Sequence, residues 1–213
     1  MENTKKKADR LGIMGGTFDP IHYGHLVAAE MARGEFQLDK VLFIPTGNPP
    51  HKDRKDILPG ELRYKMVERA VQDNPAFDIS ALEIERKGPS YTVETLRILR
   101  RTWPEHELYF ITGTDALREI FSWREYEEIL TLIQFIGAAR PGFEAGEFLL
   151  KVQQEHPEIE GRIHHLEVPA LAISSTDIRS RVRNGQPIRY LLPDPVRVFI
   201  EQHGLYASEF KDF

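Results

Sequence analysis

The 213-residue sequence contains no cysteine. Disulfides, thiolate metal sites and a cysteine nucleophile are thereby excluded, and a reducing, cytoplasmic setting is expected. A basic excess is missing too: 28 Lys and Arg face 33 Asp and Glu, for a formal net charge of −5. No polynucleotide partner is therefore expected. Long apolar runs are also lacking. The stretch from Leu130 to Ala139 is interrupted and far short of a membrane span, so no membrane partner is expected. The start, MENTKKKADR, is basic and has no apolar signal core. Residues 1–9 read as a disordered leader and residues 10–213 as one domain.

What is present is an alternation of short strand-like runs with helical patterns. Strands are predicted at Leu11–Met14, Lys40–Ile44, Phe77–Ser80, Glu107–Thr112, Leu132–Ala139 and Ile163–Val168. Helices are predicted over Leu26–Arg33, Glu61–Asp73, Thr92–Arg101, Glu144–Glu155 and Asp194–His203. Within Glu61–Asp73 the residues Leu62, Met66, Val67, Ala70 and Val71 fall on one stripe at helical spacing. This order predicts a Rossmann-like α/β fold: a single domain with a doubly wound, mostly parallel sheet. Ligands of such sheets bind beyond the carboxyl ends of the strands, near the point where strand order reverses.

The first predicted strand runs into Gly15-Gly16-Thr17-Phe18-Asp19-Pro20-Ile21-His22-Tyr23-Gly24-His25. Two glycines after a strand let backbone amides approach a ligand that a Cβ would block. His22 and His25, three apart at a helix start, can face one side, where bare amides and the helix dipole favour phosphate. Two other readings fit the same residues: a tight turn followed by surface or capping histidines, or a metal pair. The metal reading lacks a third ligand at suitable spacing. Neither the P-loop spacing nor the dinucleotide GxGxxG fingerprint is matched.

A second segment, Ile173-Ser174-Ser175-Thr176-Asp177-Ile178-Arg179, has the capping-box pattern of a helix start. Its hydroxyls, first-turn amides and Arg179 guanidinium suit an anion. Taken alone, it also reads as an ordinary cap with a solvated arginine.

Together these segments resemble the HIGH-type nucleotidylyltransferase superfamily, GGTFDPIHYGH its GxFDPxHxGH signature and ISSTDIR its ISSTxxR element. The resemblance implies that His22 and His25 contact the ATP phosphates across the bond being broken. It also implies that Ile173, Ser174, Ser175 and Arg179 hold the triphosphate, with Gly15, Gly16, Thr17 and Phe18 completing the ATP site. His22, His25 and Arg179 become the candidate catalytic residues.

Further segments are similar to the bacterial nicotinate mononucleotide adenylyltransferase branch, so that the likeness runs from Leu11 to Tyr206. Pro49-Pro50-His51-Lys52 resembles its PPHK loop, and Lys52 is a mobile point charge suited to an acceptor phosphate. Pro89-Ser90-Tyr91-Thr92 resembles its PSYT stretch, where Tyr91 and Thr92 could meet a carboxylate at a helix start. Gly113-Thr114-Asp115 resembles its GxD element, with Gly113 allowing close approach and Asp115 facing ribose hydroxyls. Trp123 stands where the branch places an aromatic against the pyridine ring, and Arg140 fits its pattern beside the acceptor.

The resemblance thus implies AMP transfer from ATP to nicotinate mononucleotide, releasing pyrophosphate, with Mg2+ carried by ATP and no dedicated metal site. Read without it, Lys52 is equally a solvated lysine, Asp115 a cap and Trp123 a packing residue. Three alternatives stand beside it: nicotinamide mononucleotide or both mononucleotides as acceptor, a different acceptor such as phosphopantetheine, and a nucleotide-binding module without turnover. Homo-oligomerisation is left open.

Overall fold

A computed structural model describes residues 8–49, 57–139, 156–157, 161–169 and 171–207. Six strands are present among them: β1 (Arg10–Gly16), β2 (Lys40–Pro45), β3 (Phe77–Ile79), β4 (Glu107–Gly113), β5 (Gln134–Ala139) and β6 (Ile163–Glu167). The helices are α1 (Tyr23–Glu35), α2 (Gly60–Val71), α3 (Leu82–Glu85), α4 (Thr92–Thr102), α5 (Thr114–Arg118), α6 (Tyr126–Leu132), α7 (Ser175–Arg183) and α8 (Asp194–Gln202). The expected helix at Glu144–Glu155 and most of the expected leader lie outside the described residues.

Strand order is β3-β2-β1-β4-β5-β6, and every pairing is parallel. The chain builds outward from β1 to β3, then returns to the far side of β1 to lay down β4. Order therefore reverses between β1 and β4. There the ladder also ends early: β1 and β4 pair only as far as Ile13 with Phe110, whereas β1 stays with β2 out to Gly16 and Pro45. A crevice opens past that point, where such sheets take their ligands.

Side-chain alternation along each strand supplies two cores, one per face. Leu11, Ile13, Leu42, Ile44, Leu108 and Phe110 pack against Val93, Leu96 and Leu99 of α4 and Ile129 and Leu130 of α6. Met14, Val41, Phe43, Tyr109 and Ile111 point the other way, onto α1, α2 and α8. With both faces covered, the strands read as apolar runs. No described helix is long and apolar enough to cross a membrane.

Two expectations are corrected. Gly15 and Gly16 do not follow the first strand; they are its last two residues, paired with Ile44 and Pro45. On α2 the buried stripe is Arg63, Met66, Val67, Ala70 and Val71, with Leu62 only half-buried. An arginine occupies the stripe position assigned to a leucine.

Candidate active site

Helix α1 begins one residue after His22, its N-cap, and carries His25 in its first turn. The two imidazoles stack, with ring centroids 3.8 Å apart and planes 28° from parallel. Phe18 presents its edge to His25 at 5.1 Å. The His22 backbone N–H donates to Nδ1 of His25 at 3.2 Å. Burial first, then the neighbouring His22, lowers the His25 pKa to about 3. His25 is therefore neutral near pH 7. Because its Nδ1 accepts, its proton sits on Nε2, which becomes a hydrogen-bond donor.

The expectation of bare amides at this helix start needs correction. The Tyr23 N–H donates to Leu191 O at 3.2 Å and the His25 N–H to His22 O at 3.0 Å. Chain geometry has already assigned these two first-turn donors.

Both histidines line a cleft of about 340 Å³ with Gly15, Gly24, Gly113 and Ile173. Three of these six are glycines. At Gly24 a Cβ would lie 3.0 Å from the His22 ring, and at Gly113 it would meet nothing within 4 Å. Gly24 thus lets the histidine ring lie down, and Gly113 leaves the β4 side of the cleft open.

The second motif is bonded directly to the first. Ser174 caps α7 by accepting from the Asp177 N–H at 3.1 Å, as its capping pattern predicted. Ser175 Oγ donates to Pro20 O at 2.8 Å, and Arg179 Nη1 donates to Asp19 O at 2.8 Å. A second arm of Arg179 reaches Thr176 Oγ1 at 3.3 Å. Segments about 155–160 positions apart thereby meet, close in sequence to the cleft residues His22 and Ile173. The Ser174, Ser175 and Thr176 hydroxyls each make a hydrogen bond within the protein.

Other candidates fall at different depths. Phe18 is 2% exposed, in the left-handed region at φ 49°, with its ring across Gly16, so it can reach a ligand only through its backbone. Thr17 turns its carbonyl to Arg63. Asp115 is exposed in the first turn of α5, outside the residues lining the cleft. Tyr91 is the N-cap of α4 and Thr92 its first residue. Trp123 is half-buried, its edge against Phe110 at 6.1 Å and Phe135 at 6.3 Å. Phe110 also faces Gly15, where a Cβ would come within 3.1 Å of its ring. One aromatic thus connects the glycine pair to Trp123. Arg124 lies over the Tyr91 ring at 4.7 Å, bringing the Trp123 segment beside the start of α4. Lys52 and Arg140 lie outside the described residues.

Sequence reasoning missed a set of polar contacts made by residues outside the lining of that cleft. The Tyr206 O–H donates to Asp19 Oδ1 at 2.6 Å. Burial, then the Asp19 charge, holds the phenol pKa well above its usual value, so it remains a donor. Glu83, whose pKa burial raises, accepts from Thr95 Oγ1 at 2.7 Å. Ser90 Oγ accepts from the Asn48 N–H at 3.0 Å. A Cβ on Gly47 would lie 1.9 Å from Glu83 O, so only glycine fits there. The one advance signal was Arg63, three and four residues before Met66 and Val67 on an apolar stripe.

The cytidylyltransferase-like family profile matches residues 13–181. A protein of Desulfitobacterium hafniense (strain DSM 10664 / DCB-2), named "Probable nicotinate-nucleotide adenylyltransferase", is 62% identical over 96% of this chain and 99% of its own length. A Moorella thermoacetica protein of the same name is 52% identical over 96% and 94%. Among solved structures, Plasmodium falciparum nicotinic acid mononucleotide adenylyltransferase complexed with NaAD superposes with a TM-score of 0.76. It covers 93% of this chain and 97% of its own at 21% identity, a likeness of fold alone. By fold, motif geometry and near-full-length identity, this chain belongs to the nicotinate-nucleotide adenylyltransferase family.

Proposed function

We propose that the chain transfers AMP from ATP to nicotinate mononucleotide, giving nicotinate adenine dinucleotide and pyrophosphate as a step in NAD biosynthesis. The observation carrying this reading is the convergence of the two motifs: stacked His22 and His25 line one cleft with Ile173, and Ser175 and Arg179 are hydrogen-bonded to Pro20 and Asp19 of the histidine turn. Full-length relatives named for this activity support the acceptor.

An acceptor phosphate oxygen attacks the α-phosphorus of ATP in line. The bond to the β-phosphate oxygen breaks, and pyrophosphate leaves with that electron pair. Such transfers depend on positioning and charge stabilisation more than on covalent help. The neutral His25 donates through Nε2 to a phosphoryl oxygen as charge develops, with His22 beside it. Arg179, fixed by Asp19 O, supports the leaving phosphates. Ile173, Ser174 and Ser175 border the same phosphates, and Gly15, Gly16, Thr17 and Phe18 contribute backbone. Gly113 and Asp115 take the ribose side.

Tyr91, Thr92 and Trp123 form the pyridine end of the acceptor site, with Lys52 and Arg140 supplying charge for its phosphate. Mg2+ enters as part of the substrate, bound to the triphosphate. Residues 10–213 act as one catalytic domain in the cytoplasm, the setting favoured by a chain without cysteine.

Pyrophosphate release, measured with ATP, Mg2+ and equal concentrations of nicotinate mononucleotide, nicotinamide mononucleotide or phosphopantetheine, tests the proposal. Strong preference for the nicotinate acceptor is expected, because donors placed for a carboxylate are left unsatisfied by an amide. Preference for another acceptor discards the pocket and keeps the chemistry. Release with none of them discards both.

A further inference from the structure

An arginine on the buried stripe of α2 has no part in the chemistry above, yet it is among the most enclosed side chains in the molecule. Arg63 is 1% exposed. Its guanidinium ends on three main-chain carbonyls: Nε donates to Leu58 O at 2.9 Å, Nη1 to Thr17 O at 2.7 Å and Nη2 to Gly47 O at 3.2 Å. Thr17 and Gly47 lie on two segments distant from the helix in sequence, and Leu58 directly precedes its N-cap Pro59. Asp19, Glu61 and Glu83 stand close enough to favour its charge against the cost of burial.

The placement of two of these bonds is informative. β1 and β2 pair as far as Gly16 and Pro45, and Thr46 N–H still donates to Gly16 O at 2.8 Å. One residue later the chains diverge. Thr17 leads into Phe18 and the histidine helix, while Gly47 presses against the backbone of Glu83. Arg63 bridges Thr17 and Gly47 at this point, occupying the place of the next rung of a ladder that the backbone can no longer continue. A planar guanidinium with five donors in a fixed fork can span two diverging carbonyls; a lysine ammonium can meet them only as a point charge, and an apolar side chain not at all.

We infer that Arg63 is a positioning residue that sets the spacing between the loop leading to His22 and the loop after β2. Its kinetic consequence rests on the proposed adenylyl transfer; its structural consequence does not. Loss of the bridge lets the two loops move independently. The histidines and the acceptor-side loop then lose their relative alignment, although each half of the cleft still binds.

The test uses the full chain and its Arg63→Met and Arg63→Lys variants, with two readouts. The first is amide hydrogen exchange without substrate. Arg63→Met is expected to raise exchange in peptides covering Thr17–His25 and in those covering Thr46–Pro49, leaving Tyr109–Thr112 of β4 unchanged, with Arg63→Lys intermediate. The second is steady-state pyrophosphate release. Because a displacement of about 1 Å costs on the order of 10²-fold in an aligned reaction, kcat of Arg63→Met should fall by roughly that factor while the KM for ATP stays within about 3-fold. Arg63→Lys should recover roughly 10-fold of the loss.

The inference is overturned if Arg63→Met turns over within about 2-fold of the wild type. It is also overturned if exchange rises in one loop only, or rises uniformly through the protein as simple destabilisation would produce. Should Arg63→Met fail to fold, Arg63→Lys is judged by the same readouts. A wild-type chain that releases no pyrophosphate would sink the adenylyl-transfer reading alone, and the exchange comparison would still decide the role of Arg63.

Discussion

On the β1 side of the cleft, four side chains from three distant places converge on the short stretch Thr17–Pro20. Arg63, Ser175 and Arg179 end on its carbonyls, and Tyr206 ends on the Asp19 carboxylate. On the β4 side, Trp123 leans on Phe110 and Phe135, Arg124 lies over Tyr91, and Gly113 faces open space. Directional bonds to backbone atoms fix positions closely, whereas ring contacts tolerate sliding. The first side suits reacting phosphates, whose alignment decides the rate. The second suits a flat ring, which needs a surface more than a fixed point.

The largest effect that would break this comparison is expected at His25. His25→Ala should lower kcat by about 10²–10³-fold, or about 3–4 kcal/mol, while circular dichroism stays native. Pyrophosphate release near the wild-type rate would remove the histidine pair from the mechanism. Next comes Tyr206→Phe, which deletes one oxygen and leaves the buried Asp19 carboxylate without that donor. A stability loss of about 1–3 kcal/mol is expected, read as a Tm lower by about 2–4 °C per kcal/mol. An unchanged Tm would mean the phenol only fills space.

A pH profile sharpens the same side. The unfolded chain takes up a proton on His25 near pH 6.5, the folded chain only near pH 3. Between those values the unfolded state binds more protons, so stability should fall as pH is lowered, by at most about 1.4 kcal/mol per pH unit. Denaturant titrations of wild type and His25→Asn should diverge in slope across that window; parallel slopes would contradict a neutral His25. The smallest effect belongs to the other side of the cleft. Trp123→Ala should raise the acceptor KM by about 5-fold with kcat within about 2-fold, since a stacking surface binds ground and transition states alike. A matching fall in kcat would erase the distinction between the two sides.

Much of this architecture was legible in the sequence because its signals are periodic or local. Apolar runs fully covered on both faces gave the strands, and the histidine pair and the ISSTDIR cap gave the two motifs. The strand-ending role of Gly15 and Gly16 was not legible, since pairing with Ile44 and Pro45 is a property of the partner strand. The same holds for the hydroxyls of Ser175 and Thr176. A cap and an anion cradle share one pattern, and only the arrival of Pro20 and Arg179 distinguishes them. Tyr206 was least visible, because a bond across 187 positions leaves no local trace, and Arg63 showed only as a charge on an apolar stripe, without its carbonyl partners.

That last span bears on how the molecule is made. Translation delivers the histidine turn first, yet three of its ties come from Ser175, Arg179 and Tyr206. A nascent chain holding β1 to β5 has a sheet without a finished turn, because domains assemble progressively as the chain emerges. Completion waits for Tyr206 to clear the ribosome and slide beneath Asp19. Assembly of the histidine turn is thereby coupled to synthesis through Tyr206, and a chain stopped before that residue carries both histidines without this tie.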